Sequence, residues 1–268
     1  MAKITTGTVR SADGTTIAFD RSGTGPAVIF VHGALTDRTF PVLAGLAAAL
    51  APRFTVFNYD RRGRGGSGDT MPYAVEREIE DIEALIRESG SPAMLFGGSS
   101  GAALALEAAA SGLPVSKLVL WEPPYHVDST APQLPEDFRG QLGELVSAGR
   151  VGDAVALFMT RAADIPADEV SWMRAQPFWP QTEALGHTVV YDAAVLGPGN
   201  ALPSGRLASI TVPALVLSGA NSPAWMASAA QAVAGVVPGA IHRILDGQSH
   251  SPAPESLAPE LADFFLAG

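Results

Sequence analysis

A short apolar run, a turn of small residues and an alanine-rich segment follow one another in Ala93-Met94-Leu95-Phe96-Gly97-Gly98-Ser99-Ser100-Gly101-Ala102-Ala103-Leu104-Ala105-Leu106. The apolar run followed by glycine and serine predicts a buried strand that ends in a tight turn. The alanine- and leucine-rich segment that comes next favours a helix. The stretch therefore predicts a strand, a turn and a helix, with Ser99 in the turn.

The turn carries the sequence G-x-S-x-G, which between a strand and a helix is typical of a nucleophilic serine. Small neighbours allow a strained backbone, and the helix directs its first amides at the serine. Ser99 fits this pattern because Gly97 and Gly101 flank it, whereas Ser100 has Ala102 in place of the second glycine. We take Ser99 as the candidate nucleophile; a turn that merely caps a helix is the alternative.

Further apolar runs stand on both sides of this unit, at residues 28–31, 54–59, 118–121, 214–217 and 241–245. Such runs suit buried parallel strands that are covered by helices on both faces. Helices are predicted at residues 39–50, 73–89, 100–111, 224–236 and 257–266. Near the start, residues 8–10 and 15–21 flank Asp13-Gly14, which indicates an antiparallel hairpin.

The alternation of strand and helix stops after Trp121, and residues 123–206 contain no convincing buried strand. We interpret them as a helical cap inserted into one α/β domain, with residues 1–122 and 207–268 as the two parts of the core. The cap carries Trp172, Phe178 and Trp179, which are candidates for lining an apolar substrate pocket. Packing of the cap against the core is the alternative role for these aromatics.

Four motifs in this order resemble those of the α/β-hydrolase family. Besides the serine turn, they are the HG turn Val31-His32-Gly33-Ala34, the loop Asp60–Ser67 of the form D-x-R-G-x-G-x-S, and the late loop Gly247-Gln248-Ser249-His250. The resemblance covers nearly the whole chain. It implies a mostly parallel eight-stranded sheet flanked by helices, with an inserted helical cap.

The resemblance also implies roles for particular residues. His250 would be the general base that a serine hydroxyl needs in order to become nucleophilic, and the backbone N–H groups of Ala34 and Ser100 would form the oxyanion hole. His250 follows a predicted strand, so it can reach the sheet edge where Ser99 lies. A solvated loop histidine is the alternative interpretation of His250.

The acid of the triad departs from the family's commonest pattern. That acid usually follows the seventh strand, where residues 218–223 of this chain contain no carboxylate. Glu122 follows the strand beside the nucleophile's strand, a placement that resembles certain haloalkane dehalogenases, and we take it as the candidate acid. Glu122 as an anchor of the cap is the alternative, and Asp192, Asp246 and Asn221 are weaker candidates.

Composition limits the other possibilities. The chain has 268 residues, 47% of them hydrophobic and 16% charged, which suits one well-cored domain. The absence of cysteine excludes disulfides and cysteine-ligated metals, and a net charge of −10 opposes binding to nucleic acid or anionic lipid. No apolar run reaches the length of a membrane span and no signal peptide is recognised. We therefore expect a cytoplasmic protein without metal or cofactor.

The loop after the fourth predicted strand invites two other interpretations. Residues 63–68 match G-x-G-x-x-G, but they do not open directly into a helix, so a dinucleotide site is set aside. Arg61, Arg62 and Arg64 are expected to form a solvated basic turn with local carboxylate partners.

Together these features predict a serine hydrolase that cleaves a small hydrophobic carboxylic ester or lactone through an acyl-enzyme, with a triad of Ser99, Glu122 and His250. Two alternatives stay open. The fold also serves as a non-catalytic ligand-binding protein. Hydrolases of C–C bonds and cofactor-free haloperoxidases resemble the same site plan.

Overall fold

An eight-stranded sheet forms the centre of the computed structural model, which describes residues 3–90 and 92–267. The strands are β1 (Ile4–Arg10), β2 (Thr16–Ser22), β3 (Ala27–Val31), β4 (Thr55–Tyr59), β5 (Ala93–Gly98), β6 (Val115–Trp121), β7 (Ala214–Gly219) and β8 (Ile241–Leu245). Their order in the sheet is β1-β2-β4-β3-β5-β6-β7-β8. The pairs β1–β2 and β2–β4 are antiparallel and all the others are parallel, so the predicted hairpin and mostly parallel sheet are confirmed.

Eleven α-helices accompany the sheet in the part of the chain that the structure describes. They are α1 (Pro41–Leu50), α2 (Val75–Ser89), α3 (Ser100–Ala110), α4 (Phe138–Ser147), α5 (Val151–Arg161), α6 (Ala167–Arg174), α7 (Trp179–Ala184), α8 (Val189–Leu196), α9 (Ser204–Leu207), α10 (Ala224–Val236) and α11 (Pro254–Leu266). The five helices predicted from the sequence are confirmed as α1, α2, α3, α10 and α11, with bounds that shift by up to three residues.

Both faces of the central strands are buried, and this explains their continuous apolar runs. Side chains of neighbouring strand residues point to opposite faces. On β3, Ile29 joins a core cluster with Leu85 of α2 and Leu104 of α3, whereas Val28 joins a second cluster with Leu46 of α1. Each face therefore needs apolar residues, and an alternating polar pattern is absent from these strands.

Between β6 and β7 the chain forms the helices α4 to α9 and two short 3-10 helices, Gly186–Thr188 and Pro198–Asn200. This insertion is the helical cap that the sequence predicted. Its helices share an apolar cluster of their own, which includes Leu142 of α4, Phe158 of α5 and Val189 of α8. Helix α8 also packs against α3, the helix that follows Ser99, so the cap lies over the candidate nucleophile.

Strand β8 differs from the buried strand that the sequence predicted. Ile241 and Ile244 are 45% and 54% exposed. The reason is its place at the end of the sheet, where it pairs only with β7. An apolar run alone does not distinguish an edge strand from a central one.

The three arginines of the loop after β4 are buried, which corrects the expectation of a solvated basic turn. Arg61, Arg62 and Arg64 are each at most 1% exposed. Arg62 donates two hydrogen bonds to Asp81 of α2, at 2.7 and 2.8 Å, and one of 2.9 Å to Asp13 in the β1–β2 turn. The expected carboxylate partners are present, but they lie inside the protein because α2 turns acidic side chains towards the loop.

Replacing Asp81 by alanine is expected to lower the free energy of unfolding by about 3 kcal/mol, because Arg62 would stay buried with Asp13 as its remaining carboxylate. The matched control is Glu83→Ala on the same helix, since Glu83 is partly exposed and pairs with the exposed Arg87 at 3.3 Å. The control should lose less than about 1 kcal/mol. Urea unfolding of both variants measures the difference, and equal losses would contradict a structural role for the buried pair.

Candidate active site

Ser99 lies in a strained turn between β5 and α3. Its backbone has φ 55° and ψ −128°, a conformation that side-chain-bearing residues rarely adopt. The chain can turn this tightly because glycines stand two positions before and two positions after Ser99. A Cβ atom on Gly101 would collide with the carbonyl oxygen of Val31, and one on Gly97 would lie 2.6 Å from the carbonyl oxygen of Gly101. The two glycines of the G-x-S-x-G motif are therefore required by close backbone contacts.

Glu122 and His250 are in contact, although 128 positions separate them in the sequence. Nδ1 of His250 lies 2.6 Å from Oε2 of Glu122, and Oε1 of Glu122 accepts a hydrogen bond of 2.8 Å from the N–H of Gly219. Glu122 is fully buried and has φ 46°. Its carboxylate is therefore fixed between the carboxyl ends of β6 and β7 and presents one oxygen to the imidazole.

The loop that carries His250 is attached to the core by a further bond. The indole Nε1 of Trp121 donates to the carbonyl oxygen of His250 at 3.0 Å. Trp121 directly precedes Glu122 and is itself buried at the end of β6. The same strand end thus holds the backbone of His250 through Trp121 and its side chain through Glu122.

The weaker candidates for the acid lie elsewhere. Asn221 and Asp246 have exposed side chains. Asp192 is fully buried but accepts hydrogen bonds from Ser100, Arg61 and Arg64 rather than from His250. Of the candidates that the sequence analysis named, the structure brings only Glu122 to the imidazole.

Ser99 and His250 line the same small cavity of about 30 Å³. The remaining walls are mostly apolar and come from both the core and the cap: Pro124, Phe158, Ala162, Leu196, Trp225 and Met226. Ser99 and His250 therefore border one small cavity between the sheet edge and the cap.

The three aromatics that were candidates for substrate contact lie away from this cavity. Trp172 and Phe178 are 60% and 44% exposed on the cap surface. Trp179 is buried in a cluster with Val155 and Val170 inside the cap. The structure does not bring any of the three to Ser99, because the cap turns α6 and α7 outward and presents α5 and α8 to the core.

The HG turn approaches Ser99 closely. A Cβ atom on Gly33 would lie 3.0 Å from both the carbonyl oxygen of Gly98 and the Cβ of Ser99. Two residues later, Leu35 has φ 57°, so the backbone reverses sharply around Ala34. The N–H groups of Ala34 and Ser100 thus belong to two backbone segments that lie close to the candidate nucleophile.

His32 stabilises this turn from inside the protein. Its Nε2 lies 2.6 Å from Oδ1 of Asn58 on β4. Burial lowers the pKa of His32 to about 4 against the opposing effect of the bond to Asn58, and the nearby charges of Arg64 and Arg61 lower it further. A neutral His32 donates from Nε2 to Asn58 and so attaches the HG turn to β4.

The glycine-rich loop at residues 63–68 encloses a carboxylate of its own chain. The N–H of Gly66 donates to Oδ2 of Asp60 at 2.7 Å, and Arg38 also pairs with Asp60 at 2.9 Å. An amide that binds an internal carboxylate is not free for a phosphate. Among residues 3–90 and 92–267, no group of three or more metal-ligating side chains is clustered. Within the same ranges, no helix has the length and hydropathy needed to cross a bilayer.

Two features of the site were not predicted from the sequence. The cavity walls include Ala162, which follows α5, and Leu196, Trp225 and Met226, which lie in helices, and no sequence motif distinguishes these side chains from others that point inward. The burial of Arg61 and Arg64 was not predicted either, because their partner Asp192 comes from a distant part of the chain.

Comparison with known proteins agrees with this architecture. A model of the Alpha/beta hydrolase family matches residues 28–263. A solved alpha/beta hydrolase from Sphaerobacter thermophilus DSM 20745 is 52% identical, with a TM-score of 0.91 over 97% of this chain and 100% of that chain.

More distant solved structures share the fold. A thermophilic esterase from Thermogutta terrifontis is 20% identical, with a TM-score of 0.74 over 97% of this chain and 98% of that chain. The enol-lactonase from Burkholderia xenovorans LB400 is 21% identical, with a TM-score of 0.72 over 97% of this chain and 100% of that chain. No curated protein matches the chain. From the family match and the half-identical structure, it follows that this chain belongs to the alpha/beta hydrolase family.

Proposed function

We propose that the protein is a serine hydrolase that cleaves small hydrophobic carboxylic esters or lactones through an acyl-enzyme. The observation that carries this proposal is the shared cavity of Ser99 and His250, together with the 2.6 Å contact between Nδ1 of His250 and Glu122. A hydroxyl, an imidazole and a carboxylate in this order are the parts of a catalytic triad.

Glu122 sets the protonation of the imidazole in this mechanism. Its carboxylate accepts the Nδ1 proton of His250, so the lone pair of Nε2 is available as a base. Nε2 takes the proton of Ser99 as its Oγ attacks the carbonyl carbon. The resulting imidazolium is stabilised by Glu122 and gives its proton to the leaving alcohol. Water, activated by the same Nε2, then releases the acid and restores Ser99.

The negative charge that develops on the carbonyl oxygen needs donors close to Ser99. The N–H of Ser100, at the first turn of α3, and the N–H of Ala34, in the HG turn, are the proposed pair. Removal of one such donor costs roughly 3 kcal/mol of transition-state stabilisation in enzymes where it has been measured. The partial positive charge at the start of α3 acts in the same direction.

The cavity supports a short, uncharged acyl group. Its volume of about 30 Å³ is far below that of pockets for drug-sized ligands, and its walls are mostly apolar. A serine nucleophile suits acyl transfer, whereas an aspartate would be needed for the alkyl-enzyme of a dehalogenase. The likeness in fold to a named esterase and a named enol-lactonase is compatible with these substrate classes.

The absence of a carboxylate after β7 would favour the non-catalytic alternative. The contact between Glu122 and His250 counters this argument, because a carboxylate at the end of β6 binds the imidazole instead. The strained backbone of Ser99 is a second argument for catalysis, since strain of this kind is retained mainly at functional sites.

A fluorophosphonate probe is expected to label the native protein on Ser99 and to leave Ser99→Ala unlabelled. Hydrolysis of p-nitrophenyl acetate by Ser99→Ala should fall by at least about 10³-fold, because the nucleophile is lost. Ser111→Ala, at the far end of α3, is the matched control and should keep both labelling and turnover. Failure of the native protein to react with the probe would contradict the proposal.

Glu122→Gln is expected to lower kcat for the same ester by about 10³- to 10⁴-fold, whereas Asn221→Ala should leave it unchanged. A glutamine oxygen can still accept from Gly219, so its amide would face Nδ1 and favour the wrong tautomer. Steady-state kinetics of both variants, with circular dichroism as the folding control, makes the comparison. The opposite ranking of the two variants would refute Glu122 as the acid.

A further inference from the structure

Asp192, on the cap helix α8, binds the side chain of Ser100, which follows Ser99, and two arginines of the loop after β4. It is fully buried. Its Oδ1 accepts hydrogen bonds from Oγ of Ser100 at 2.8 Å and from Nη1 of Arg61 at 2.7 Å. Its Oδ2 accepts one from Nη2 of Arg64, also at 2.7 Å. One carboxylate of the cap thus binds three groups of the core.

The same two arginines also donate hydrogen bonds to backbone carbonyls in and next to the HG turn. Arg61 donates to the carbonyl oxygen of His32 at 3.1 Å. Arg64 donates to the carbonyl oxygens of Gly33 and of Thr36. The carbonyl of Gly33 and the N–H of Ala34 belong to one planar trans peptide and point in opposite directions. The bond from Arg64 to the Gly33 carbonyl therefore also fixes the direction of the Ala34 N–H.

We propose that Asp192 is a positioning residue that couples docking of helix α8 to assembly of the oxyanion hole. This inference rests on the proposed function. Asp192 acts on one donor, Ser100, through its hydroxyl, and on the other, Ala34, through Arg64 and the Gly33 peptide. The cap therefore supplies a charge that the hole requires, in addition to covering the cavity.

The charges of the cluster favour this role. Arg61 and Arg64 are balanced by Asp192 and by Glu78, which lies 2.6 Å from Arg61. Burial alone would raise the pKa of Asp192, but the guanidinium groups of Arg64 and Arg61 outweigh it and hold that pKa below its ordinary value. Asp192 stays ionised, and its loss would leave buried positive charge beside the HG turn.

A purely stabilising role is a weaker explanation of these contacts. Buried ion pairs often contribute little net stability, because desolvation offsets the attraction between the charges. Their geometry is nevertheless specific, and oxyanion donors must be held in place before the reaction in order to act. An error of about 1 Å in the position of such groups can cost about 10²-fold in rate.

The test compares Asp192→Asn with Asp153→Asn, a change on cap helix α5 where Asp153 pairs with the partly exposed Arg150 and Arg174. We expect Asp192→Asn to lower kcat for p-nitrophenyl acetate by about 10²-fold and leave KM unchanged. Affinity for butylboronic acid, whose adduct with Ser99 places an oxygen in the hole, should fall by the same factor. Asp153→Asn should match the native protein in all three quantities.

A second variant covers the case in which Asp192→Asn does not fold. Ser100→Ala removes one hydroxyl and keeps both arginine bonds to Asp192. It should lower kcat and boronic acid affinity by a smaller common factor, again at unchanged KM.

Folded variants with native kcat and native boronic acid affinity would overturn the inference, as would a loss confined to KM. If the native protein is labelled by fluorophosphonate on Ser99 while these variants behave like the control, the inference alone fails. If the native protein is not labelled at all, the proposed function fails and the inference with it.

Discussion

The site depends on one constraint, which is that parallel strands buried on both faces end at a common edge. Strands β5 to β8 are parallel neighbours, so the residues that follow their carboxyl ends meet there. Ser99 follows β5, Glu122 follows β6 and the loop after β8 brings His250. The apolar residues that force both faces into the core therefore also bring together three polar groups that are far apart in the sequence.

Buried charge is organised around the same edge. Three arginines of one loop are satisfied by carboxylates from the first hairpin, from α2 and from the cap. Breaking such a pair leaves an uncompensated charge in the interior, so each arrangement is specific even where its net stability is small. We infer that this loop links the cap to the HG turn. The geometry around Ser99 then depends on contacts from both the core and the cap.

Much of the fold and part of the site could be predicted because the signals are local. Apolar runs with glycine turns mark β3 to β7, and the pattern around Ser99 requires glycines that the structure explains by backbone contacts. The pairing of Glu122 with His250 was expected from the family resemblance, in which some members carry the acid after the strand beside the nucleophile's strand. Exposure of β8, burial of Arg62 and the outward position of Trp172 were not predictable, because each depends on which distant element covers the residue.

The most direct test of the proposed triad is to identify the residue that is acylated during turnover. The protein is mixed with excess p-nitrophenyl acetate, quenched in acid and examined by intact-mass and peptide-mapping mass spectrometry. An acyl-enzyme on Ser99 should appear as a single added acetyl group on the peptide that contains this residue. Hydrolysis that proceeds with no adduct on Ser99, or with an adduct on another residue, would contradict the proposed triad.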